Sequence, residues 1–177
     1  FYGENEGFKD EKIKQLFIND FKGSVEKFDE SEVLNNTDRF ISSIINKSFF
    51  EEKKIIIISR VSDKIVALIK DLLDRGANDT IIILNSGNLE KKSKLRSFFE
   101  KDNKLVCTAF YKDELRTLSQ IANSFFKEKK ISVSQEIINL IVDKCNGDRK
   151  NLITELDKIS MYLLNKDKIN IEEVVNL

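Results

Sequence analysis

The opening residues offer the first chemistry to test. Gly3-Glu4-Asn5-Glu6-Gly7-Phe8-Lys9-Asp10 reads as a glycine turn entering a helix. A helix start of this kind attracts phosphate through its free N–H groups and the positive end of the dipole. A triphosphate loop needs GxxxxGK followed by Ser or Thr: amides cradle the phosphates, lysine neutralises them, and the hydroxyl holds magnesium. In this chain Phe8 follows Gly7, Asp10 stands where the hydroxyl belongs, and Glu4 and Glu6 repel phosphate. The second requirement is a carboxylate after a buried strand, to hold the metal. Ser59 and Arg60 follow the apolar run 55–58 instead. The two failures are independent, so the sequence predicts no ATP hydrolysis.

The chain contains no histidine. That removes a Ser/His/Asp triad, a Cys/His dyad, an imidazole base and any histidine metal ligand. Cys107 and Cys145 have no ligand-like neighbours and read as two buried thiols in a reducing compartment. Thirty basic residues balance thirty acidic ones. Zero net charge argues against a protein that grips DNA with its whole surface, although a local basic face is compatible with it. No apolar run reaches the roughly 20 residues of a membrane span, and the first residues are not expected to act as a signal peptide.

The positioning elements follow from periodicity. The runs 55–58 and 81–84 are continuously apolar and β-branched, as in strands of a parallel sheet covered on both faces. Weaker strands fit 25–28 and 105–108, and Phe1-Tyr2-Gly3 reads as the end of a first strand. Helical spacing links Ile13, Leu16, Phe17 and Phe21; then Val33, Leu34, Phe40, Ile41, Ile44 and Ile45; then Ile65, Leu68, Ile69, Leu72 and Leu73, with Gly76 as the stop. Strand and helix alternate, which predicts a layered α/β domain over residues 1–110.

Residues 111–177 are predicted to form a small helical domain. Leu115, Leu118, Ile121, Ala122 and Phe125 share one helix face. Ser134 is placed to cap the next helix, with Val133 and Ile138 as a staple. Gly147 closes that helix. Asp148 caps a third carrying Leu152, Leu156, Ile159 and Leu163, and Asn170 with Glu173 starts a fourth. Both chain ends read as cut, so a fragment is expected.

Four stretches in order carry a resemblance: Phe1-Tyr2-Gly3-Glu4-Asn5; Asn46-Lys47-Ser48-Phe49-Phe50-Glu51-Glu52-Lys53-Lys54 before the isoleucines; Ile82-Ile83-Leu84-Asn85-Ser86 with Leu89-Glu90-Lys91-Lys92-Ser93-Lys94-Leu95-Arg96; and Gly147-Asp148-Arg149-Lys150-Asn151-Leu152 with Glu155-Leu156-Asp157-Lys158. Together they resemble the delta subunit of the bacterial DNA polymerase III clamp loader. That resemblance implies an AAA+-like architecture: a RecA-type parallel-sheet domain, a three-helix lid, and a C-terminal collar domain, which is expected to fall outside these residues. It also implies a subunit that is not catalytic by itself and takes no cofactor or metal. The implied partners are the sliding clamp (beta subunit), the other loader subunits, and DNA within the assembled loader, in the cytoplasm at the nucleoid.

Phe49 and Phe50 follow a helix and precede a charged break. Aromatic rings presented at such an edge are typical interface anchors, and rings packing a helix onto the sheet are the alternative. The resemblance implies clamp binding for this pair, with Ser48 beside it. Lys91, Lys92, Lys94 and Arg96, followed by Lys101 and Lys104, form a basic stretch diluted by Glu90, Glu100 and Asp102. It reads either as a solvated helix face or as a contact to DNA or a neighbouring subunit. Phe98 and Phe99 share helical spacing with Leu95, which favours core packing over base stacking. The resemblance puts Lys150 near the lid arginine of nucleotide-sensing relatives; with Asp148 and Arg149 it is expected to make helix-end salt bridges.

Three competitors follow. A degenerate but working ATPase keeps the same fold. A flavodoxin-like module would bind a ligand at the strand ends, and the helical second domain speaks against it. The delta-prime and tau/gamma loader subunits usually carry zinc-binding cysteines, and this chain has no such cluster.

Overall fold

A computed structural model describes residues 1–45, 53–76, 80–165 and 169–177. The described chain divides into two compact units. Unit 1 comprises Phe1–Glu4 and Lys9–Phe110; unit 2 comprises Asn5–Phe8 and Tyr111–Leu177.

Unit 1 is built on a parallel sheet in the order β1 (Ser24–Asp29), β2 (Lys54–Ser59), β3 (Thr80–Asn85). Val25 lies opposite Ile55, and Ile55 opposite Ile81. The isoleucine run of β2 explains the layering. Ile56 and Ile58 face one core with Val33, Phe40, Ile41, Ile65, Leu68 and Leu95. Ile55 and Ile57 face another with Ile13, Ile83, Phe17 and Phe21. All four are buried, so the central strand is covered on both faces, as its unbroken β-branched run requires.

Helix α1 (Glu6–Ile13) continues into a π turn, Lys14–Ile18. Helices α2 (Glu30–Asn35) and α3 (Thr37–Ile45) follow β1. The single helix expected through Val33 and Ile44 is therefore two, divided at Asn36, whose φ of −135° and ψ of 49° leave the helical region. Apolar spacing alone does not register such a break, because both pieces bury residues in the same core. After β2 come a 3₁₀ turn, Asp63–Ile65, and α4 (Val66–Asp74), which ends at Gly76 with φ 74°. Helix α5 (Lys94–Lys101) follows β3.

Two strand expectations are corrected. Ile81 is 43 % exposed, so β3 is covered on both faces only toward its carboxyl end. The stretch 105–108 is no strand; Ala109 forms an isolated parallel bridge with Tyr2. Phe1–Gly3 nevertheless lies in strand-like pairing on both sides. Phe1 N donates to Leu84 O, Ser86 N to Phe1 O, Tyr2 N to Thr108 O, and Phe110 N to Tyr2 O. The segment thus sits between β3 and residues 108–110.

Unit 2 contains α6 (Leu115–Glu128), α7 (Gln135–Cys145), α8 (Arg149–Tyr162) and the short α9 (Ile171–Asn176). Their apolar faces form one core around Leu118, Ala122, Phe126, Ile141, Leu152, Leu156 and Ile159. The Ser134 hydroxyl caps α7 by accepting from Ile137 N. Left-handed Asn146 and Gly147 (φ 47° and 81°) end it. Asp148 then accepts from Lys150 N and Asn151 N to start α8, and Asn170 with Glu173 closes a capping box on α9.

Candidate functional site

The glycine turn is where the sheet's topology directs a ligand. From the segment 1–3 the chain crosses to β1 at the far edge, whereas from β3 it passes to residues 108–110 on the other side. The carboxyl ends of segment 1–3 and β3 therefore bound a topological switch point, the usual binding crevice of an open α/β sheet. Gly3 turns there with φ 121°, and a Cβ would collide with the Phe110 carbonyl, so only glycine fits.

Lys9 fills this crevice. Its side chain is fully buried, and its Nζ donates to the Gly3 carbonyl at 2.9 Å and the Ser86 carbonyl at 2.6 Å. Ser86 is itself held by Oγ donating to Val61 O and N donating to Phe1 O. Lys9 does not directly follow Gly7, so it does not stand out as the lysine of a GxxxxGK loop. Counted from Gly3, Lys9 stands six positions on, the interval between first glycine and lysine in GxxxxGK. That offset is the signal that would have found it.

The carboxylates near the strand ends are engaged within the chain. Asp29 accepts from Ser31 and pairs with Arg60, whose φ is 56°. Hydrogen bonds from the Ser31 hydroxyl and amide, with the Arg60 charge behind them, hold the Asp29 carboxyl below its ordinary range. Glu30 accepts from the Ser62 amide and hydroxyl. Asp63 accepts from Leu95 N at 2.9 Å and Ser93 Oγ at 2.6 Å, and these bonds lower its pKa. An acidic side chain of the protein thus already sits at the start of α5. Among the described residues, no group of His, Cys, Asp or Glu is arranged to hold a metal ion.

In unit 2 a polar cluster fastens residues 5–8. Asn5 Nδ2 donates to Tyr111 O and to Asp113 Oδ2, and Asn5 Oδ1 accepts from Phe8 N. Arg149 takes Asp113 in a two-pronged grip and lies over the Phe8 ring, 3.9 Å from its centre. Burial pushes the Asp113 carboxyl up, but hydrogen bonds from Arg149 and Asn5 outweigh it and leave the pKa lowered. The helix-end role expected for Asp148 and Arg149 is divided. Asp148 caps α8, whereas Arg149 makes a buried pair with a residue outside its helix, a partner 36 positions away that local sequence does not disclose. Lys150 is exposed, and a Cβ on Gly7 would strike its backbone nitrogen.

The basic stretch does not act as one patch. Lys91, Lys92 and Lys94 are exposed, as are Lys101 and Lys104. Arg96 is half-buried: it bonds Glu100 and the Leu89 carbonyl and lies over the Tyr2 ring. Phe98 and Phe99 stack edge to face and pack on the core beside Leu95. Lys92 and Lys94 line an open groove of about 740 Å³ that also takes in Ser62, Lys64, Gly87 and Asn88. Lys64 joins them there without any sequence signal. Ser48, Phe49 and Phe50 lie outside the described residues. Among the described residues, no helix is long and apolar enough to cross a membrane.

No family model matches this sequence, and no curated protein matches it. Solved structures do. The Bacillus subtilis DNA clamp loader delta protein (YqeN) aligns with 99 % of this chain at 15 % identity and a TM-score of 0.53. Domain III of the Thermotoga maritima replication initiation protein DnaA aligns with 99 % at 12 % identity and 0.57. The Thermotoga maritima RuvB Holliday junction branch migration motor aligns with 99 % at 12 % identity and 0.63. The chain spans 56 % of the delta protein, 81 % of the DnaA domain and 59 % of RuvB. These likenesses establish an α/β, AAA+-like fold of the RecA type, shared with a bacterial clamp-loader delta protein.

Proposed function

We propose that this chain is part of a non-hydrolysing, delta-type clamp-loader subunit that binds and helps open the sliding clamp during DNA replication. The observation that carries the reading is the buried Lys9 ammonium in the crevice where a working relative would take nucleotide. The delta-protein likeness along nearly the whole chain supports it. In this reading residues 1–110 are the clamp-binding RecA-like domain and 111–177 the lid. Phe49 and Phe50, with Ser48, enter an apolar pocket of the clamp. Burying one ring of about 150–250 Å² at about 25 cal/mol per Å² contributes several kcal/mol as an upper figure. Lys91, Lys92 and Lys94 then face DNA or a neighbouring subunit, in the cytoplasm at the nucleoid, and the subunit needs no cofactor.

A second reading is a nucleotide-using AAA+ protein, favoured by the higher TM-score to RuvB. Binding of the cognate clamp, measured beside titration with Mg·ATP, separates the two. The delta-type reading expects the first and not the second.

A further inference from the structure

The sheet of unit 1 ends at β1, and among the described residues no strand lies on its outer side. An open strand edge presents N–H and C=O groups that another extended chain can take up. Asp29 N donates to Glu32 Oε2, off the ladder with β2. Backbone groups alternate in direction along a strand, so Val25 and Lys27 also aim theirs outward. Beside this edge lies a groove of about 490 Å³ lined by Phe28, Val33 and Phe40, with charged residues at its sides. Glu26 there pairs with Lys54 at 3.0 Å, and Glu32 is engaged by Asp29 N. Lys27 and Arg39 are exposed, and among the described residues no ion pair engages either side chain. We infer that the β1 edge and this groove form a docking site for an extended segment of a partner protein, one that carries apolar and acidic residues and joins the sheet as a strand.

The strand period sends Glu26 and Phe28 to one face and Val25 and Lys27 to the other. An added strand obeys the same alternation. Its side chains on the first face reach Phe28, Val33 and Phe40, and those on the second reach Lys27. Main-chain bonds then supply affinity, and the alternate side chains supply specificity. A second copy of this chain fits the edge less well. In a two-fold antiparallel pairing, the two registers that join most of β1 set Glu26 against Glu26 or Lys27 against Lys27, and like charges directly opposed are destabilising. A foreign strand with a carboxylate opposite Lys27 avoids that conflict. The inference does not rest on the clamp-binding reading, and each can fail while the other stands.

Fluorescence anisotropy with a labelled hexapeptide of alternating valine and aspartate tests it, beside the same peptide with lysine for aspartate. The wild-type chain should bind the acidic peptide in a saturable way and the basic one at least about tenfold more weakly. Val25→Pro removes one outward donor at an edge position that tolerates proline, and should lower affinity about tenfold. Lys27→Glu/Arg39→Glu should lower it about fivefold or more. Amide exchange at Val25 and Lys27 should slow when the acidic peptide is bound. If Val25→Pro does not melt like wild type, the acidic peptide N-methylated at its backbone amides replaces it, with the same loss expected. Absence of saturable binding, equal binding of the basic peptide, or unchanged exchange at Val25 and Lys27 overturns the inference. So does a wild-type dimer in sedimentation that Val25→Pro abolishes, because it gives the edge to a second copy.

Discussion

Arg149 Nε and Nη2 reach the two carboxylate oxygens of Asp113 at 2.8 and 2.7 Å, with each side chain only 8 % exposed. A pair this dry adds little over a well-packed apolar pair, yet removing one member strands the other as a buried charge. Asp113→Ala should therefore destabilise by about 3–5 kcal/mol, seen as a Tm loss of about 10 °C. The double variant Asp113→Leu/Arg149→Met should recover much of it. A single variant with wild-type Tm would contradict the assignment.

The same pair fixes a pH dependence. Asp113 is depressed in the folded state, so its contribution is complete above the unfolded carboxyl value near 4 and is lost as pH falls through the folded value. Chemical denaturation should give the same contribution from Asp113 at pH 7 and pH 5.5, with the loss confined below about pH 4. The Asp113→Leu/Arg149→Met protein should lack that part of the acid limb.

Thiol reactivity should separate the two cysteines. Burial, with Glu155 and Asp148 behind it, pushes the Cys145 thiol up to about 11, whereas Cys107 is half-buried and raised mainly by desolvation. The thiolate is the reactive form. At pH 8 the native protein should label at Cys107 well before Cys145, and both should label at once in denaturant. Mass spectrometry of the labelled peptides reads the order.

Much of the fold was legible, and the reasons are local. Four consecutive isoleucines admit little besides a strand covered on both sides, and β2 is that strand. Ser134, Asp148 and Asn170 announced their helices, because a cap is a short-range bond between a side chain and the next turn. The break at Asn36 was hidden because α2 and α3 feed one core. The strand expected at 105–108 shrank to a bridge at Ala109. The site was less legible. Lys9 meets Ser86 across 77 positions and Arg149 meets Asp113 across 36, and pairings of that span are created by topology. Phe49 and Phe50, read from sequence, fall outside the described residues.

The basic residues should divide by role. Changing Lys91, Lys92 and Lys94 to glutamate should weaken duplex DNA binding by the assembled loader. It should also flatten the salt dependence, by up to about 0.9 in log–log slope for each phosphate no longer neutralised. Arg96→Ala should instead lower stability, because its guanidinium serves Glu100, Leu89 and the Tyr2 ring. Fluorescence anisotropy at several salt concentrations, beside thermal melts, makes the distinction. An unchanged slope in the triple variant removes these lysines from the DNA surface.

The central claim is a partner bound through an aromatic tip on a fold that uses no nucleotide. Its most direct measurement is capture of the cognate sliding clamp by wild type and by Phe49→Ala/Phe50→Ala, without ATP, after both proteins are shown to melt alike. The account predicts capture by the wild type and a loss of at least about 100-fold in affinity for the double variant, the loss of one good hot spot of about 3 kcal/mol. Equal capture by both proteins, or wild-type capture that appears only with Mg·ATP, would contradict it.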